Sequence, residues 1–438
     1  MKSSPRWAAG LTALAVTGAF AAAGCGSSSS SDNSKSDAAA SSSSSSTTAS
    51  SSKSTSAAPD LAAALGTAKK ATGTPVTLGL LNLESGPVTF PEYRQAAEAA
   101  AKYINDYKGG INGHPIKIVS CATDGQPATS ARCANQVLDK KPVAILGGAD
   151  TGAPGSFKDY QRANIAYLGG IPFTPVESNA PNAVEFISIG VGDNAAAVAS
   201  AKASLGTKKA SVLYTDDSAG KHTGLDIIAP AMKAAGIDAK TVPVSPTSAD
   251  LSSVAASAVS SSPDLVYISV PNACPALLKA IKAVGSTAKL AGIDPCTSPQ
   301  AIKTAGAAVE GLYFAQPFQS LDSGTKDANV MLAAVKKYGP KDLALDSIAE
   351  AGFSSVMNIQ AALDTVSPLN TKNILAAFKD GQSHPNFLAH PYTCDGKQLT
   401  GNTAICNTYQ LMKQVKNGKV VTVDGKWLTG AEYYKPAA

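Results

Sequence analysis

Short apolar runs alternate with longer amphipathic runs along most of the chain, and this alternation restricts the fold more than any other feature of the sequence. The first unit is an apolar run at residues 76–81, followed by a turn at Ser85-Gly86-Pro87 and a helical pattern that begins at Pro91. The strand-like runs that continue this series are 116–120, 143–146 and 165–168. Repeated strand-helix units build parallel sheets that are covered by helices on both faces, so the sequence predicts an α/β fold.

A second series of the same kind follows Asn194 and predicts a second lobe. Its strand-like runs are 210–214, 240–244, 265–269, 289–292 and 311–315. A length of 438 residues also exceeds the size of one ordinary domain. Residues 325–379 are typical of helices, and the alternation on both sides of Asn417-Gly418 predicts a C-terminal hairpin. We therefore expect two doubly wound, parallel-sheet lobes.

Residues 1–25 are typical of an export signal. Lys2 and Arg6 supply positive charge, residues 11–23 are apolar, and small residues stand directly before Cys25. This arrangement resembles a bacterial lipobox, which implies that the Cys25 thiol is acylated and anchors the mature chain in a membrane. An ordinary secretory cleavage site with an incidental cysteine is the alternative.

Residues 26–58 are mostly serine and contain no large apolar side chain that could be buried, so we expect a disordered tether. A flexible chain of this length spans roughly 30 Å. The remainder of the sequence has no run of ~20 apolar residues that would span a bilayer. These features predict an extracytoplasmic body that is lipid-anchored to the bacterial cell membrane.

Besides Cys25 the chain has six cysteines, and an even number in an exported protein predicts disulfides. Proximity in sequence favours Cys121 with Cys133, Cys274 with Cys296, and Cys394 with Cys406. No pair has CxxC spacing and the chain has only 4 histidines, so we expect no metal site and no cofactor. A formal charge of +5 without a run of Lys or Arg predicts no nucleic-acid partner.

Four segments, in this order, carry a family resemblance. They are GLLNLESGPVTFPEYRQAAEAAAKYINDYKGGINGHPIKIV (79–119), AILGGADTGAPGSFKDYQRANIAYLGGIPFTPVES (144–178), SVLYTDDSAGKHTGLD (211–226) and DLVYISVPNACPALLKAIKAVG (264–285). From about residue 74 onward the chain resembles the type I periplasmic binding proteins, in particular the branched-chain amino acid (Leu/Ile/Val) binding proteins of ABC importers.

The resemblance implies two lobes joined by a three-strand hinge, with a ligand cleft between them. The first lobe is then 74–189 plus 318–389, and the second lobe is 190–315 plus 393–438. The implied crossings between the lobes fall near Ile189-Gly190, at 315–318 and at 390–393.

The resemblance also implies a function: the protein captures a small-molecule solute by hinge closure and delivers it to an ABC transporter permease, as a monomer and without chemistry. A ligand sensor of the same fold that reports to a membrane kinase or receptor is the alternative. A secreted hydrolase is the remaining possibility. The chain has no GxSxG, HExxH or P-loop motif that would support it.

Ligands of open parallel sheets bind in the loops at the carboxyl ends of the strands. The candidate ligand-binding residues in these loops are Ser85, Phe90, Thr151, Gly170, Ile171, Thr174, Asp216, Asn272 and Asp294. The resemblance implies that Ser85, Thr151 and the loop 170–174 hold a ligand carboxylate, and that Asp294 holds the ligand ammonium.

Local sequence also gives these residues structural roles. Thr151 and Thr174 are equally suited to cap the helices that follow them. Ser85 and Asp294 stand in turn compositions. Asp216 is alternatively a solvated loop charge. Phe90 and Asn272 are alternatively packing or loop residues.

The ligand that the resemblance implies by default is a branched-chain amino acid. The family places an aromatic residue in the loop that corresponds to 216–222, and this chain has none there. Pro271-Asn272 also stands where a second aromatic residue is expected. A related amide or aromatic compound is therefore the alternative ligand.

Overall fold

The computed structural model describes residues 61–86, 88–248 and 250–435. The predicted signal, the candidate lipid-bearing Cys25 and the serine-rich segment 26–58 lie outside these residues. Within the described part of the chain, no helix combines the length and the apolar character that crossing a membrane requires.

The described elements alternate as the sequence predicts. The strands are β1 (Val76–Leu83), β2 (Ile116–Thr123), β3 (Ala144–Leu146), β4 (Ala166–Leu168), β5 (Ala183–Val184), β6 (Lys209–Thr215), β7 (Asp238–Val244), β8 (Leu265–Ser269), β9 (Lys289–Gly292), β10 (Tyr313–Gln316), β11 (Gln410–Lys416) and β12 (Lys419–Leu428). The helices are α1 (Leu61–Ala64), α2 (Pro91–Tyr103), α3 (Pro127–Leu138), α4 (Phe157–Arg162), α5 (Pro175–Asn179), α6 (Gly192–Ala203), α7 (Ser218–Lys221), α8 (Ala229–Ala234), α9 (Ser252–Val259), α10 (Cys274–Ala283), α11 (Pro299–Ala305), α12 (Lys326–Tyr338), α13 (Ser347–Leu363) and α14 (Thr371–Phe378).

The first lobe is built on a sheet with the strand order β2-β1-β3-β4-β5, and every pairing in it is parallel. Successive residues of a strand point to opposite faces. Leu80 of β1 therefore packs with Phe353 of α13 on one face, while Leu81 packs with Val137 of α3 on the other. Helices cover both faces, which confirms the predicted doubly wound arrangement.

The second lobe is built on a sheet with the strand order β12-β11-β10-β9-β8-β6-β7. Its pairings are parallel from β7 to β10, and β11 and β12 are added as an antiparallel hairpin. The hairpin turns at Asn417, whose φ of 52° is tolerated by asparagine. Val266 and Tyr267 of β8 pack into the cores on opposite faces of this sheet.

Three segments connect the two sheets and their cores. The chain leaves the first core after Ile187 and enters α6, and it returns between Gln316 of β10 and Phe318 of the first core. The third connection lies later than expected, between Cys406 and β11.

Residues 393–406 therefore belong with the first lobe and not with the second, because their backbone pairs with the backbone of the first lobe at Glu185. The amide of Glu185, next to β5, donates to the carbonyl of Ala404 at 2.8 Å, and the amide of Cys406 donates back to Glu185 at 2.9 Å. Cys394 and Cys406 are buried in the first core, where their disulfide closes this segment into a loop.

The disulfides are Cys121–Cys133, Cys274–Cys296 and Cys394–Cys406, which is the pairing predicted from proximity.

Helices α2 and α13 approach each other closely in the first lobe, and this contact fixes the position of α13. A Cβ atom on Gly352 would lie 2.1 Å from the backbone oxygen of Tyr93, so only glycine allows the approach. The N-terminus of α13 is thereby held at the border with the second lobe, where it forms part of the candidate site.

Candidate functional site

The two lobes meet at the carboxyl ends of their parallel strands. Ser347, the first residue of α13, donates a hydrogen bond from its hydroxyl to Oδ2 of Asp294, in the loop after β9. This bond joins the lobes directly, because α13 belongs to the first lobe and β9 to the second. Asp294 is the candidate residue that this bond places at the border.

The loops after β3 and β4 present backbone rather than side chains. Gly170 has a φ of 115°, a conformation that favours glycine, and a Cβ there would lie 3.0 Å from the carbonyl carbon of Gly147. The amide of Ile171 donates to the carbonyl of Gly148 at 3.0 Å, while its side chain is buried in the first core. The amide and the side chain of Ile171 are therefore both engaged within the first lobe.

Ser85 and Thr151 are exposed in neighbouring loops of the first lobe. The Ser85 hydroxyl donates to the carbonyl of Thr123 at 2.9 Å, which fixes the turn after β1. Thr151 follows the buried Asp150, whose carboxylate accepts from the hydroxyls of Thr123 at 2.8 Å and Ser130 at 2.7 Å. The exposed hydroxyls thus stand on a rigid, hydrogen-bonded base.

Thr174 caps helix α5. Its amide and its hydroxyl both donate to Oε2 of Glu177 at 2.8 Å. Glu177 is fully buried, and burial raises its pKa to about 8 against the effect of these hydrogen bonds. The geometry therefore gives Thr174 the cap role that its sequence context allows.

An aromatic pair lines the first-lobe side of the border. Phe90, directly before α2, stacks on Phe173 with ring centroids 5.9 Å apart. Phe173 is 37% exposed, which leaves an apolar surface in the loop between Ile171 and Thr174. Phe90 stays a predicted ligand contact, and its stacking partner Phe173 is not among the candidates that the sequence suggested, although it lies inside the loop from Gly170 to Thr174.

Two candidates of the second lobe lie in exposed positions. Asp216 forms an ion pair with Lys221 at 2.8 Å, and both side chains are about half exposed. Asn272 is exposed in the single helical turn Pro271–Ala273 before α10. Asp216 thus has the surroundings of a solvated loop charge.

A disulfide fastens the two second-lobe loops that border the site. Cys274, the first residue of α10, is bonded to Cys296, which lies two residues after Asp294. Both cysteines are fully buried. The bond therefore fixes the loop that carries Asp294 to the loop that carries Asn272.

Asp294 is the most extensively bonded of the candidates. Besides Ser347, its carboxylate accepts from the amide of Gln316 and from the hydroxyl of Thr297, both at 3.3 Å. Burial raises the pKa of Asp294, and the hydrogen bond from Ser347 and the charge of Lys413 act in the opposite direction.

Two buried ionisable side chains near Asp294 are not among the candidates that the sequence suggested. Glu350 lies on α13, one turn after Ser347, and Lys413 lies in the middle of β11; they are 5% and 2% exposed. Burial raises the pKa of Glu350 to about 8 and lowers the pKa of Lys413, and each charge partly offsets the effect of burial on the other. The signal was a charged residue inside an otherwise buried pattern.

A groove in the protein surface lies away from the candidate residues. A groove of about 540 Å³ lies at the amino-terminal edge of the second sheet, with Asp264 and Lys289 in its lining. The Asp264 carboxylate accepts from the backbone N–H groups of Lys208 and Lys209, at 2.8 and 2.9 Å, and has a structural role.

Comparison with known proteins gives a family and a fold. The sequence profile of a family described as periplasmic binding protein matches residues 75–418. Comparison with curated proteins at the level of sequence finds no match.

Three solved structures illustrate the similarity in fold. A leucine-binding protein, LivK, from Thermotoga maritima is 17% identical, with 81% of this chain and 98% of that chain covered and a TM-score of 0.65. A fatty acid ABC transporter substrate-binding protein from Thermomonospora curvata is 18% identical, with 84% and 97% covered and a TM-score of 0.67. An ABC transporter solute-binding protein from Rhodopseudomonas palustris, in complex with 3,4-dihydroxybenzoic acid, is 16% identical, with 82% and 98% covered and a TM-score of 0.64.

Proposed function

The chain belongs to the periplasmic binding protein family, and we propose that it is the extracytoplasmic solute-binding component of an ABC importer. The observation that carries this proposal is the hydrogen bond between Ser347 of the first lobe and Asp294 of the second lobe. It supports closure of the lobes on each other at the carboxyl ends of their strands, where ligands of open α/β sheets bind.

Closure gives the protein its mechanism. The three connecting segments are short and allow the lobes to rotate as rigid bodies. A solute that contacts both lobes favours the closed state by the difference between its affinities for the two states. A permease that recognises the closed state then receives only loaded protein. Binding and release complete the cycle, and the protein performs no chemical step.

The proposed ligand is a small polar or amphipathic solute, with a branched-chain amino acid as the first candidate and an amide or aromatic compound as the alternatives. Support for the first candidate comes from the leucine-binding protein among the similar structures, and support for an aromatic compound from the protein in complex with 3,4-dihydroxybenzoic acid. The apolar surface of Phe90 and Phe173 suits the apolar part of either ligand.

An amino acid would span the cleft. In this proposal the hydroxyl of Thr151 and the backbone N–H of Gly170 hold its carboxylate, and Asp294 holds its ammonium. Ser85 and Ile171 border the carboxylate, because the Ser85 hydroxyl donates to Thr123 and the Ile171 amide donates to Gly148. A carboxylate accepts about four hydrogen bonds, and Asp294 receives three from protein side chains, so one acceptor position remains for the ligand. Asp216, Asn272 and Thr174 would then border the ligand rather than bind it.

Membership of the family implies an extracytoplasmic location. We propose further that a lipid on Cys25 anchors the mature chain, that residues 26–58 tether it, and that it works as a monomer. The basic residues, the apolar run and the cysteine at the N-terminus support the anchor.

A thermal-shift screen tests the proposal. The full chain carrying Cys25→Ser is melted with amino acids, amides and aromatic acids, since a ligand at about 100 times its Kd adds roughly 2.7 kcal/mol to the free energy of unfolding. We expect one of these classes to raise the melting temperature. Stabilisation by a peptide or polysaccharide alone, with no response to any small solute, would contradict the proposed ligand class.

A further inference from the structure

Three aromatic rings from the two lobes meet beside the connecting segments. His390 stacks on Tyr409, with ring centroids 3.9 Å apart and ring planes 16° apart. Trp427 of β12 approaches His390 in a T-shaped arrangement, with ring centroids 5.7 Å apart. Among the described residues, the other ring pairs all lie within the first lobe. The stack of His390 is therefore the aromatic contact that joins the lobes.

The backbone of His390 is fixed to the first lobe. Its neighbours Ala389 and Tyr392 are buried in the first core. Ala389 forms an isolated antiparallel bridge with Phe318, the residue at which the second connection enters the first core. The carbonyl of His390 also accepts from the side-chain amide of Asn386 at 3.0 Å. These contacts place His390 at the edge of the first lobe, next to the second connection.

The two partner rings belong to the second lobe. Tyr409 stands directly before β11, and Trp427 pairs with Leu411 of β11 in the terminal hairpin. Asn407, in the third connection, donates from its side-chain amide to the carbonyl of His390 at 3.1 Å and accepts from the backbone N–H of Tyr409 at 2.9 Å. The stack thus crosses from one lobe to the other next to two of the three connections.

The imidazole of His390 is oriented within its own lobe. Its Nδ1 lies 2.9 Å from the carbonyl oxygen of Pro391, and since a carbonyl only accepts, Nδ1 is the donor. The rings of His390, Tyr409 and Trp427 are all half-buried. The first lobe therefore presents a ring of fixed orientation to the rings of the second lobe.

We propose that His390 is a positioning residue for solute binding. Its stack on Tyr409 and Trp427 stabilises the arrangement in which the lobes lie together, which is also the arrangement that the bond between Ser347 and Asp294 joins. A solute held between the lobes then binds more tightly, although His390 is not among the candidate ligand-binding residues. This inference rests on the proposed function, because only a solute that contacts both lobes responds to their arrangement.

The size of the effect follows from the geometry of closure. A rotation that separates the lobes carries Tyr409 and Trp427 away with the second lobe and leaves His390 with the first lobe. A contact made only in the closed state raises the population of that state, and the Kd of the solute falls by the same factor. An aromatic pair of this kind corresponds to a factor of roughly 2 to 12.

Titrations of the full chain carrying Cys25→Ser and Trp7→Phe test the inference. The probes are L-leucine, isobutyramide and 3,4-dihydroxybenzoate, one from each proposed ligand class. His390→Ala is expected to weaken the binding of the probe that the parent chain binds by about fivefold. Tyr409→Leu removes the partner ring and should have the same effect, so it decides the question if His390→Ala does not fold. His390→Phe keeps a ring that can stack and should retain the affinity.

Trp427 reports the arrangement of the lobes in the same samples. The chain has 2 tryptophans, so Trp7→Phe leaves Trp427 as the single emitter. Iodide quenching of its emission should decrease at saturation with the probe in the parent chain and in His390→Phe, and should decrease less in His390→Ala.

His384→Ala is the matched control. His384 stacks on Tyr392 with ring centroids 5.2 Å apart and ring planes 18° apart, and both residues belong to the first lobe. Loss of this stack is expected to leave the affinity for the probe and the response of Trp427 unchanged. Melting curves without solute establish that each variant is folded.

The outcomes separate this inference from the proposed function. A probe that binds His390→Ala and Tyr409→Leu as tightly as the parent chain would overturn the role of the stack and leave the solute-binding function standing. An equal loss of affinity in His384→Ala or in His390→Phe would also overturn it, because the loss would then not depend on stacking between the lobes. Failure of all three probes overturns the inference, and failure of every small solute in the thermal-shift screen overturns the proposed function with it.

Discussion

The two lobes contribute different chemical groups to their common border. The first lobe offers backbone at Gly170, exposed hydroxyls at Ser85 and Thr151, and the aromatic surface of Phe90 and Phe173. Across the border, the second lobe contributes charge through Asp294 and Lys413, from a loop that a disulfide holds in place and from a buried strand. Under the proposed function, the first lobe mainly determines the shape of the site and adds the carboxyl group of Glu350, while the second lobe contributes Asp294 and Lys413.

The lobes also differ in the surroundings of their buried acidic groups. Glu177 and Glu185 are fully buried in the first lobe, and neither forms an ion pair within the described residues. Burial raises the pKa of both carboxyl groups. Near the border the acidic groups instead have a cation beside them, since Lys413 acts on Asp294 and Glu350. The first lobe should therefore respond more strongly to a rise in pH.

The largest expected effect is a loss of stability of the first lobe with rising pH. Burial in the folded chain raises the pKa of Glu177 from its ordinary value of 4.5 to about 8. The folded state therefore holds a proton that the unfolded state releases, so the free energy of unfolding falls as the pH rises from about 4.5 to about 8. The loss is on the order of 5 kcal/mol.

Glu177→Gln isolates this contribution. Urea unfolding at about pH 5 and about pH 9 should show a smaller loss for the variant than for the natural chain. Asp238→Asn, at an exposed position of the second lobe, is the control and should leave the pH dependence unchanged. If the free energy of unfolding falls equally with pH in Glu177→Gln and in the natural chain, Glu177 is ionised in the folded state and the prediction is wrong.

Removal of disulfides should separate stability from binding. Replacing Cys274 and Cys296 by alanine, or Cys121 and Cys133, is expected to cost about 3 kcal/mol of unfolding free energy in either case, since the loops are of similar length. Only the first replacement should also weaken solute binding, because Cys296 lies two residues from Asp294. Denaturant unfolding and titration with the solute measure both quantities, and equal affinities in the two variants would contradict the role assigned to the second-lobe disulfide.

Asp294→Asn tests the charge of the second lobe directly. If the solute is an amino acid, the variant should bind it about a hundredfold more weakly, which corresponds to about 2.7 kcal/mol. Stability should change little, because the asparagine oxygen still accepts from Thr297 and its NH2 group can donate to the hydroxyl oxygen of Ser347. Asp264→Asn, at the opposite edge of the same sheet, serves as the control for binding. Unchanged affinity in Asp294→Asn would remove Asp294 from the site.

The smallest expected effect distinguishes two hydroxyls of the first lobe. Thr174→Ala should cost about 1 kcal/mol of stability through loss of the helix cap, with little change in affinity. Thr151→Ala should leave stability almost unchanged and weaken binding, because the Thr151 side chain is exposed at the border. Melting curves and titrations of both variants provide the check; a large loss of affinity in Thr174→Ala would give that hydroxyl a ligand role.

The sequence predicts the fold well because the signals are local and repeated. Each strand of the parallel sheets is a short apolar run, and the terminal hairpin is marked by the turn at Asn417. Cysteine pairs close in sequence gave the correct disulfides. The third crossing was misplaced because segment 393–406 has no strand pattern, and it joins the first lobe through isolated backbone pairing that periodicity does not reveal.

The site is predicted less completely than the fold. Loops at strand ends make Ser85, Thr151 and Asp294 candidates, since parallel sheets bring those ends together, and their roles in ligand binding stay predictions. Glu350 and Lys413 were missed because they lie inside a helix and a strand, where a pattern of apolar residues describes only the core. Their meeting depends on how two lobes pack, which is long-range information that one sequence does not carry.

Small-angle X-ray scattering of the full chain carrying Cys25→Ser, with and without a solute that stabilises it, tests whether the lobes close. A saturating solute is expected to reduce the radius of gyration, because the first and second lobes close on it at the Ser347–Asp294 border. Identical scattering curves at saturation, with binding confirmed in the same sample, would contradict closure.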